Sequence, residues 1–189
     1  TEGDIMGRDI AIAVAEQFPS VYNAVQGKSL KTNADNIAKK LNTLSENIHP
    51  RYASCVAFFL VHKGNIDEII SIGDIQLYLW NGIQWNKPRE LIDHWIDPAK
   101  YPSNVSRFIG LGDRKIPEFS FEPDVMMIPS DQPVFIATDG IKDVLSLKDI
   151  NALAVDPAKV SPKEIIETIL DEVTRRGIQR DDISVLVRL

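Results

Sequence analysis

The stretch from Ser54 to Trp85 reads SCVAFFLVHKGNIDEIISIGDIQLYLWNGIQW, and its pattern decides the predicted fold. It contains three apolar runs separated by glycine-containing turns, at residues 54–61, 66–72 and 75–80. Apolar runs of this length between turn residues are typical of β-strands. The pair Asn81-Gly82 is a strong signal for a two-residue hairpin. We therefore predict an antiparallel meander over residues 53–86, with a first strand that is buried on both faces.

Further elements are predicted on both sides of this meander. Apolar residues spaced three and four apart indicate helices at 8–18, 33–47, 146–154 and 162–176. Short apolar runs indicate strands at 118–121, 125–128, 134–137 and 183–189. Pro19 should end the first helix, Thr32 or Asn33 should cap the second, and Ser146 and Ser161 should cap the last two. Helices that are segregated from antiparallel strands favour an α+β fold over alternating α/β.

Length and composition exclude several classes of protein. The 189 residues fit a single domain over 1–189, and a net charge of −6 disfavours a nucleic-acid binder, which needs a basic face. No apolar run approaches the length of a membrane span, and no signal peptide is visible. Cys55 is the only cysteine, so no intrachain disulfide is possible. This indicates a reduced, cytoplasmic compartment, and we expect Cys55 to be a core residue rather than a nucleophile.

Acidic residues stand next to apolar strands at three places in the sequence. Asp139 follows the predicted strand 134–137, and Asp74 lies between two apolar runs, where a carboxylate is costly unless it has a partner. Asp181 and Asp182 open the last strand, and two adjacent carboxylates are stabilised by a nearby cation. Each position also fits an ordinary turn. The residues alone therefore leave both roles open, a turn or a metal ligand.

Five short motifs in chain order resemble those of the PP2C-type (PPM) metal-dependent serine/threonine protein phosphatases. The family motifs are GDSR, DH, LG, SDG and a terminal DN[IV][ST]. The matching residues are Gly73-Asp74-Ile75-Gln76, Asp93-His94, Gly110-Leu111-Gly112, Thr138-Asp139-Gly140 and Asp181-Asp182-Ile183-Ser184. Each match is short, but their common order and spacing make the resemblance specific over residues 53–189. It implies a four-layer αββα sandwich of two antiparallel sheets flanked by helices, with a metal cluster in a cleft at one end.

The resemblance also implies the residues of the site. Asp139 and Asp181 would hold the core Mn²⁺ or Mg²⁺ ions, two or more in number, and Asp74 would serve a third, weaker metal. The implied nucleophile is a metal-bound water, so no side chain is expected as a catalytic residue, and no substrate-binding residue is indicated. Two cations can activate one water and screen the phosphate oxygens during in-line attack. Asp93-His94 match a motif that is mainly structural in the family.

The implied function is hydrolysis of phosphoserine and phosphothreonine in proteins, as part of signal transduction. The expected partners are a phosphorylated protein and a serine/threonine kinase or its targets, without nucleic acid or membrane. One departure matters most: the Asp-Gly-x-Gly-Gly motif, whose Asp bridges the core metals in the family, is not intact. Either that Asp precedes residue 1, or Asp4-Ile5-Met6-Gly7 is a degenerate copy in which Ile5 replaces a glycine. We therefore expect a domain that lacks its N-terminal strands.

Two alternatives to an active enzyme remain. A catalytically inactive pseudophosphatase would keep the fold and act as a binding or regulatory module. It is favoured by the incomplete glycine motif and by Ile75-Gln76, which stand where the family has Ser-Arg. An interaction domain that binds no metal is the other alternative, and it predicts no heat of Mn²⁺ binding.

Overall fold

The fold is described by a computed structural model over residues 2–25, 29–48, 55–88, 107–110, 120–153, 155–177 and 183–189, with side chains from Arg8 onward. The helices are α1 (Glu2–Ala24), α2 (Leu30–Ile48), α3 (Gly140–Val144), α4 (Leu147–Ala152) and α5 (Pro162–Arg176). The strands are β1 (Ala57–Lys63), β2 (Ile66–Ile72), β3 (Gln76–Trp80), β4 (Trp85–Asn86), β5 (Asp124–Pro129), β6 (Val134–Ala137) and β7 (Val185–Arg188).

Two antiparallel sheets form the centre of the molecule. One has the strand order β1-β2-β5 and the other β4-β3-β6-β7. Helices α1 and α2 pack against the first sheet, and α3, α4 and α5 pack against the second. The predicted α+β fold, a sandwich of two antiparallel sheets flanked by helices in four layers, is confirmed.

The alternation of side chains along the strands explains why there are four layers. Successive residues of a strand point to opposite faces of its sheet. In β2, Ile70 and Ile72 join the core with α1 and α2, whereas Ile69 packs between the two sheets with Leu77 of β3. In β6, Phe135 belongs to the core under α5. Both faces of each sheet are therefore apolar, and each must be covered by a further layer.

The first two helices differ from the prediction at their ends. Helix α1 does not end at Pro19 but continues to Ala24. The turn after the proline is held by tertiary contacts, because Phe18 stacks on Phe59 of β1 and the Tyr22 hydroxyl donates to Glu68 over 2.5 Å. Helix α2 begins earlier than predicted, and the hydroxyl of Ser29, rather than Thr32 or Asn33, accepts a hydrogen bond in its first turn. None of the helices in the described segments combines the length and apolar character needed to cross a bilayer.

The predicted meander is wrong at one decisive point. Strands β2 and β3 do not pair with each other, and the chain crosses from one sheet to the other at Gly73-Asp74. The predicted two-residue hairpin is a four-residue loop, 81–84, in which the Asn81 side chain accepts from two backbone amides. Strand β1 lies at the edge of its sheet and is only half-buried, so the prediction of burial on both faces is also wrong.

A buried ion pair joins the two sheets at the end away from this crossover. Asp67, near the start of β2, is fully buried and pairs with Arg188 of β7 and with His62 Nδ1. Burial of a carboxylate is tolerated when charged and hydrogen-bonding partners surround it. The pair therefore fixes β2 against β7, while the opposite end of the sandwich remains for other residues.

Capping of α5 gives a first testable prediction. The Ser161 hydroxyl accepts from the Glu164 amide at 3.3 Å, and Glu164 Oε2 accepts from the Ser161 amide at 2.7 Å, which is a complete capping box. We expect Ser161→Ala to destabilise the protein by about 1 kcal/mol. Thermal unfolding should show a Tm lower by about 2–4 °C. Thr174→Ala, which removes a hydroxyl from the same helix without a cap, is the control, and an equal loss in both variants would contradict the capping role.

Candidate metal centre

Strand register brings two predicted ligands to the same end of the sandwich. Strands β3 and β6 are antiparallel, and Gln76 is paired with Ala137. Continuing this register by two residues places Asp74 opposite Asp139. Asp74 lies two residues before Gln76, where β3 begins, and Asp139 lies two residues after Ala137, where β6 ends, so their positions depend on rigid elements rather than on long loops. The pairing of two strands thus brings Asp74 and Asp139 to one location.

Gly73 determines how Asp74 enters the site. Its φ of +113° lies in the region that favours glycine, at the point where the chain leaves one sheet for the other. A Cβ added there would lie 2.3 Å from Cγ1 of Val56. Any larger residue would therefore have to move the crossover, and Asp74 with it.

Asp139 occupies the N-cap position of α3 but does not act as a cap. Its side chain makes no capping hydrogen bond, and its backbone carbonyl accepts from the Lys142 amide at 2.9 Å. If Asp139 served only as a turn residue, its side chain would be expected to cap α3, and it makes no such hydrogen bond. The backbone before Asp139 is held by Ser184, the residue that precedes β7. The Thr138 amide donates to the Ser184 carbonyl and the Ser184 amide donates to Thr138 Oγ1, each at 3.0 Å.

Burial and the neighbouring Asp139 both act on the carboxyl group of Asp74. Asp74 is only 5% exposed, and burial raises its pKa to about 6, with the negative charge and a hydrogen bond of Asp139 adding to the rise. Lys142 opposes this change in pKa. Two acids that share a poorly solvated location cannot both be ionised at low cost unless a cation accompanies them. The pair therefore has the electrostatic character of a cation site.

Three further polar residues surround Asp74, and the sequence analysis assigned none of them to the site. Lys142 Nζ lies 3.8 Å from Asp74 Oδ2. Gln76 donates from Nε2 to the Asp74 backbone carbonyl at 2.8 Å and accepts at Oε1 from Lys87 Nζ at 3.0 Å. A helix beginning at Gly140 would have placed Lys142 one turn after Asp139. The signal was missed because α3 has only five residues, too few for a visible periodicity.

Several predicted positions lie outside the described residues. These are Asp181, Asp182, Asp93 and His94, and only the backbone is described for Asp4. Their assignments stay predictions. Within the described part of the chain, no group of three or more His, Cys, Asp or Glu residues could hold a metal ion. The described site thus consists of two carboxylates, Asp74 and Asp139.

The chemistry of these two donors fits a hard divalent cation. Mg²⁺ and Mn²⁺ prefer oxygen ligands, and Mg²⁺ in particular is held by one or two carboxylates together with several waters. Asp74 is buried beside a second carboxylate, which is an arrangement that a cation relieves. The pair can therefore serve as the protein part of such a site.

Two other reactive side chains, Cys55 and His62, are not candidates for a catalytic role. Burial raises the pKa of the Cys55 thiol to about 11, so the thiolate needed for nucleophilic attack is disfavoured. Cys55 packs against the core of α1, α2 and the first sheet, as predicted. His62 is bound to Asp67 at the other end of β2 from Asp74.

The Asp74 pKa gives a prediction for the metal-free protein. Because its pKa is raised in the folded state from 3.8 to about 6, the folded protein holds this proton more tightly, and its stability should fall as pH rises through this window. Asp139→Asn removes the facing charge and should reduce this fall. At neutral pH in EDTA we expect a Tm higher by about 2–4 °C, as for a gain of about 1 kcal/mol. Thermal unfolding across this pH range checks it, and an unchanged difference between pH 4 and pH 7 would contradict it.

Comparisons with known proteins identify one matching family model and several structures of similar fold. The family model described as Stage II sporulation protein E (SpoIIE) matches residues 2–188. A comparison with curated proteins found no significant sequence match. Three of the solved structures with a similar fold illustrate the likeness. PppA, described as a key regulatory component of T6SS in Pseudomonas aeruginosa, has a TM-score of 0.63 and 14% identity, covering 92% of this chain and 77% of PppA.

The other two structures are described as serine/threonine phosphatases. Stp1 from Staphylococcus aureus gives a TM-score of 0.59 at 15% identity, covering 84% of this chain and 65% of Stp1. The catalytic domain of PstP, in complex with two manganese ions, gives 0.61 at 17% identity, covering 93% of this chain and 79% of that domain. At identities of 14–17%, these structural similarities support the fold alone. The fold that these three chains share is the one described above.

Proposed function

Because this chain belongs to the SpoIIE family and has the PP2C-type phosphatase fold, we propose that it is a protein serine/threonine phosphatase dependent on Mn²⁺ or Mg²⁺. One observation carries the proposal: Asp74 and Asp139 come from different strand ends and meet at one end of the sandwich. The PstP domain with two manganese ions supports the choice of metal.

The residues of this chain would hold and orient the metals. Asp139 supplies a carboxylate that no capping bond occupies, and Asp74 supplies a buried one. Gln76 fixes the backbone of Asp74 through its hydrogen bond to the carbonyl. Asp181 is proposed as the further core ligand because it matches the family motif. When bound, the metals would activate a water for attack on phosphorus and screen the phosphate oxygens, so no side-chain nucleophile is required.

The proposed substrate is a phosphorylated protein, and a serine/threonine kinase or its targets are the proposed partners. The net charge of −6 gives no general attraction for a polyanion, so we propose that local charges close to the site, rather than the whole surface, favour the phosphorylated segment. Among the described lysines, Lys87 and Lys142 are connected to Asp74, one through Gln76 and one directly. The single cysteine agrees with a cytoplasmic location.

Hydrolysis of a phosphopeptide tests the proposed function. The intact chain should release phosphate from a phosphothreonine peptide when Mn²⁺ is added, and EDTA should abolish release. Mn²⁺ binding measured in parallel by calorimetry separates a failure of metal binding from a failure of catalysis. Phosphate release that continues unchanged in EDTA would refute the metal mechanism.

An inactive binding module is the second candidate function. It is favoured by Lys142, whose ammonium group lies close to Asp74, and by Gln76, which stands where the family motif has arginine. Such a module would bind a partner through the same end of the sandwich without turnover. Robust Mn²⁺-dependent turnover by the intact chain would exclude it.

A further inference from the structure

Lys142 brings a positive charge directly to the carboxylate pair. Its ammonium nitrogen is buried and lies 3.8 Å from Oδ2 of Asp74, which is itself buried. Removing an ammonium group or a carboxylate from water is costly when either is alone, and the two compensate each other when they are close. The charge of Asp74 is therefore balanced in part by Lys142.

The short helix α3 holds this lysine in place. Asp139 stands immediately before α3, and the Lys142 amide donates to the Asp139 carbonyl at 2.9 Å. One turn of helix thus carries both a carboxylate of the pair and the ammonium group that faces the other. The Lys142 side chain as a whole is 25% exposed, so its long aliphatic stem has a route to solvent.

A divalent cation and this ammonium group would compete for the same carboxylate. Two like charges a few ångströms apart repel strongly where water is scarce. Among the other described lysines, Lys87 donates to Gln76, which in turn donates to the Asp74 backbone carbonyl. Among the described side chains, Lys142 therefore has the ammonium group that a metal ion bound to Asp74 would repel most directly.

We propose that Lys142 is the resident counter-ion of the Asp74–Asp139 pair, and that a divalent cation has to displace it from Asp74 in order to bind. This inference rests on the proposed function and adds a regulatory element to the same site. One lysine side chain sets the concentration of free metal at which the Asp74 side of the site fills. The metal-free protein keeps a formed site, because the lysine compensates the buried carboxylate.

Calorimetric titration with Mn²⁺ tests this directly. Lys142→Met keeps the aliphatic bulk and removes the charge, so Mn²⁺ should bind on the order of tenfold more tightly, the size of effect that neighbouring groups have on metal sites. Lys142→Arg retains the charge and should bind Mn²⁺ about as weakly as the wild type. Lys163→Met removes a lysine that is 82% exposed on α5 and controls for the change in net charge. A merely structural role of Lys142 would not produce tighter binding.

Unfolding in EDTA provides a second measurement without metal. Lys142→Met should lower the Tm of the metal-free protein, because it leaves Asp74 without its nearest described cation. In the Asp74→Asn background the same substitution should lower the Tm less, since the charge that it compensates is already gone. Equal losses in both backgrounds would overturn the counter-ion role.

The outcomes separate this inference from the proposed function. If Lys142→Met binds Mn²⁺ no more tightly than the wild type, or if neither protein binds Mn²⁺, the counter-ion role is overturned. If Mn²⁺ binding tightens as expected but no variant hydrolyses the phosphopeptide, the counter-ion role stands and the phosphatase proposal fails. If hydrolysis occurs and the affinity for Mn²⁺ does not depend on Lys142, the phosphatase proposal stands and the counter-ion role is overturned.

Discussion

Asp139→Asn should reduce Mn²⁺-dependent phosphopeptide hydrolysis by on the order of 100-fold or more, because it replaces the carboxylate of a proposed metal ligand by a neutral amide. The same variant should fold normally. Asparagine is accepted at an N-cap position, and the Asp139 side chain makes no capping bond that could be lost. Initial rates over a range of Mn²⁺ concentrations, with circular dichroism on the same samples, measure both parts.

Asp143→Asn is the matched control for this prediction. Asp143 lies four residues along the chain in α3 and is exposed, so the substitution removes the same charge from the same helix at an exposed position. Its rate should remain close to that of the wild type. If Asp139→Asn and the control hydrolyse the phosphopeptide at the same rate, Asp139 is not a metal ligand of the site.

Asp74→Asn distinguishes the role of the second carboxylate. The family resemblance assigns Asp74 to a weaker metal, so its loss should raise the Mn²⁺ concentration needed for activity more than it lowers the maximal rate. Saturation curves for Asp74→Asn and Asp139→Asn, measured side by side, show the difference. Identical curves would place both acids on the same metal.

Gly73→Ala should destabilise the protein by about 3 kcal/mol or more, through backbone strain and a steric clash together. The residue adopts a φ of +113°, and the new Cβ would lie 2.3 Å from Val56 Cγ1. Thermal unfolding should show a Tm lower by roughly 6–12 °C. Because Asp74 is the next residue, the remaining folded protein should also bind Mn²⁺ more weakly.

Gly82→Ala separates the two causes. Gly82 also has a positive φ, +93°, but a Cβ added there would meet no atom within 4 Å beyond its chain neighbours. Strain alone should cost about 1 kcal/mol there. The difference between the two variants then measures the contact with Val56, and similar losses would show that the crossover is not tightly packed.

Features that depend on neighbouring residues were predictable from the sequence. Ser146 and Ser161 cap their helices as predicted, because a capping box involves residues only three apart. The strands at Ile66–Ile72 and Val134–Ala137 were found from their apolar runs. The PP2C-type resemblance extended this to the four-layer architecture, which the sheets and helices confirm.

Features that depend on distant residues were not predictable in this way. Strand β2 pairs with β5 and strand β3 with β6, so the change of sheet at Gly73-Asp74 is decided by segments far along the chain. Helix α1 continues past Pro19 because Phe18 and Tyr22 contact the first sheet. The Lys142–Asp74 contact needs both the sheet crossover and the short α3, and neither has a clear local pattern.

The register that places Asp74 opposite Asp139 restricts how this site can change during evolution. Insertion or deletion of one residue within β3 would turn each of its side chains to the other face of the sheet. Leu77 would leave the space between the sheets at the same time as Asp74 lost its place opposite Asp139. Gaps in this strand would therefore be removed by selection for folding. Relatives of this chain that lose the carboxylate pair should do so through single substitutions, with the length of the strand preserved.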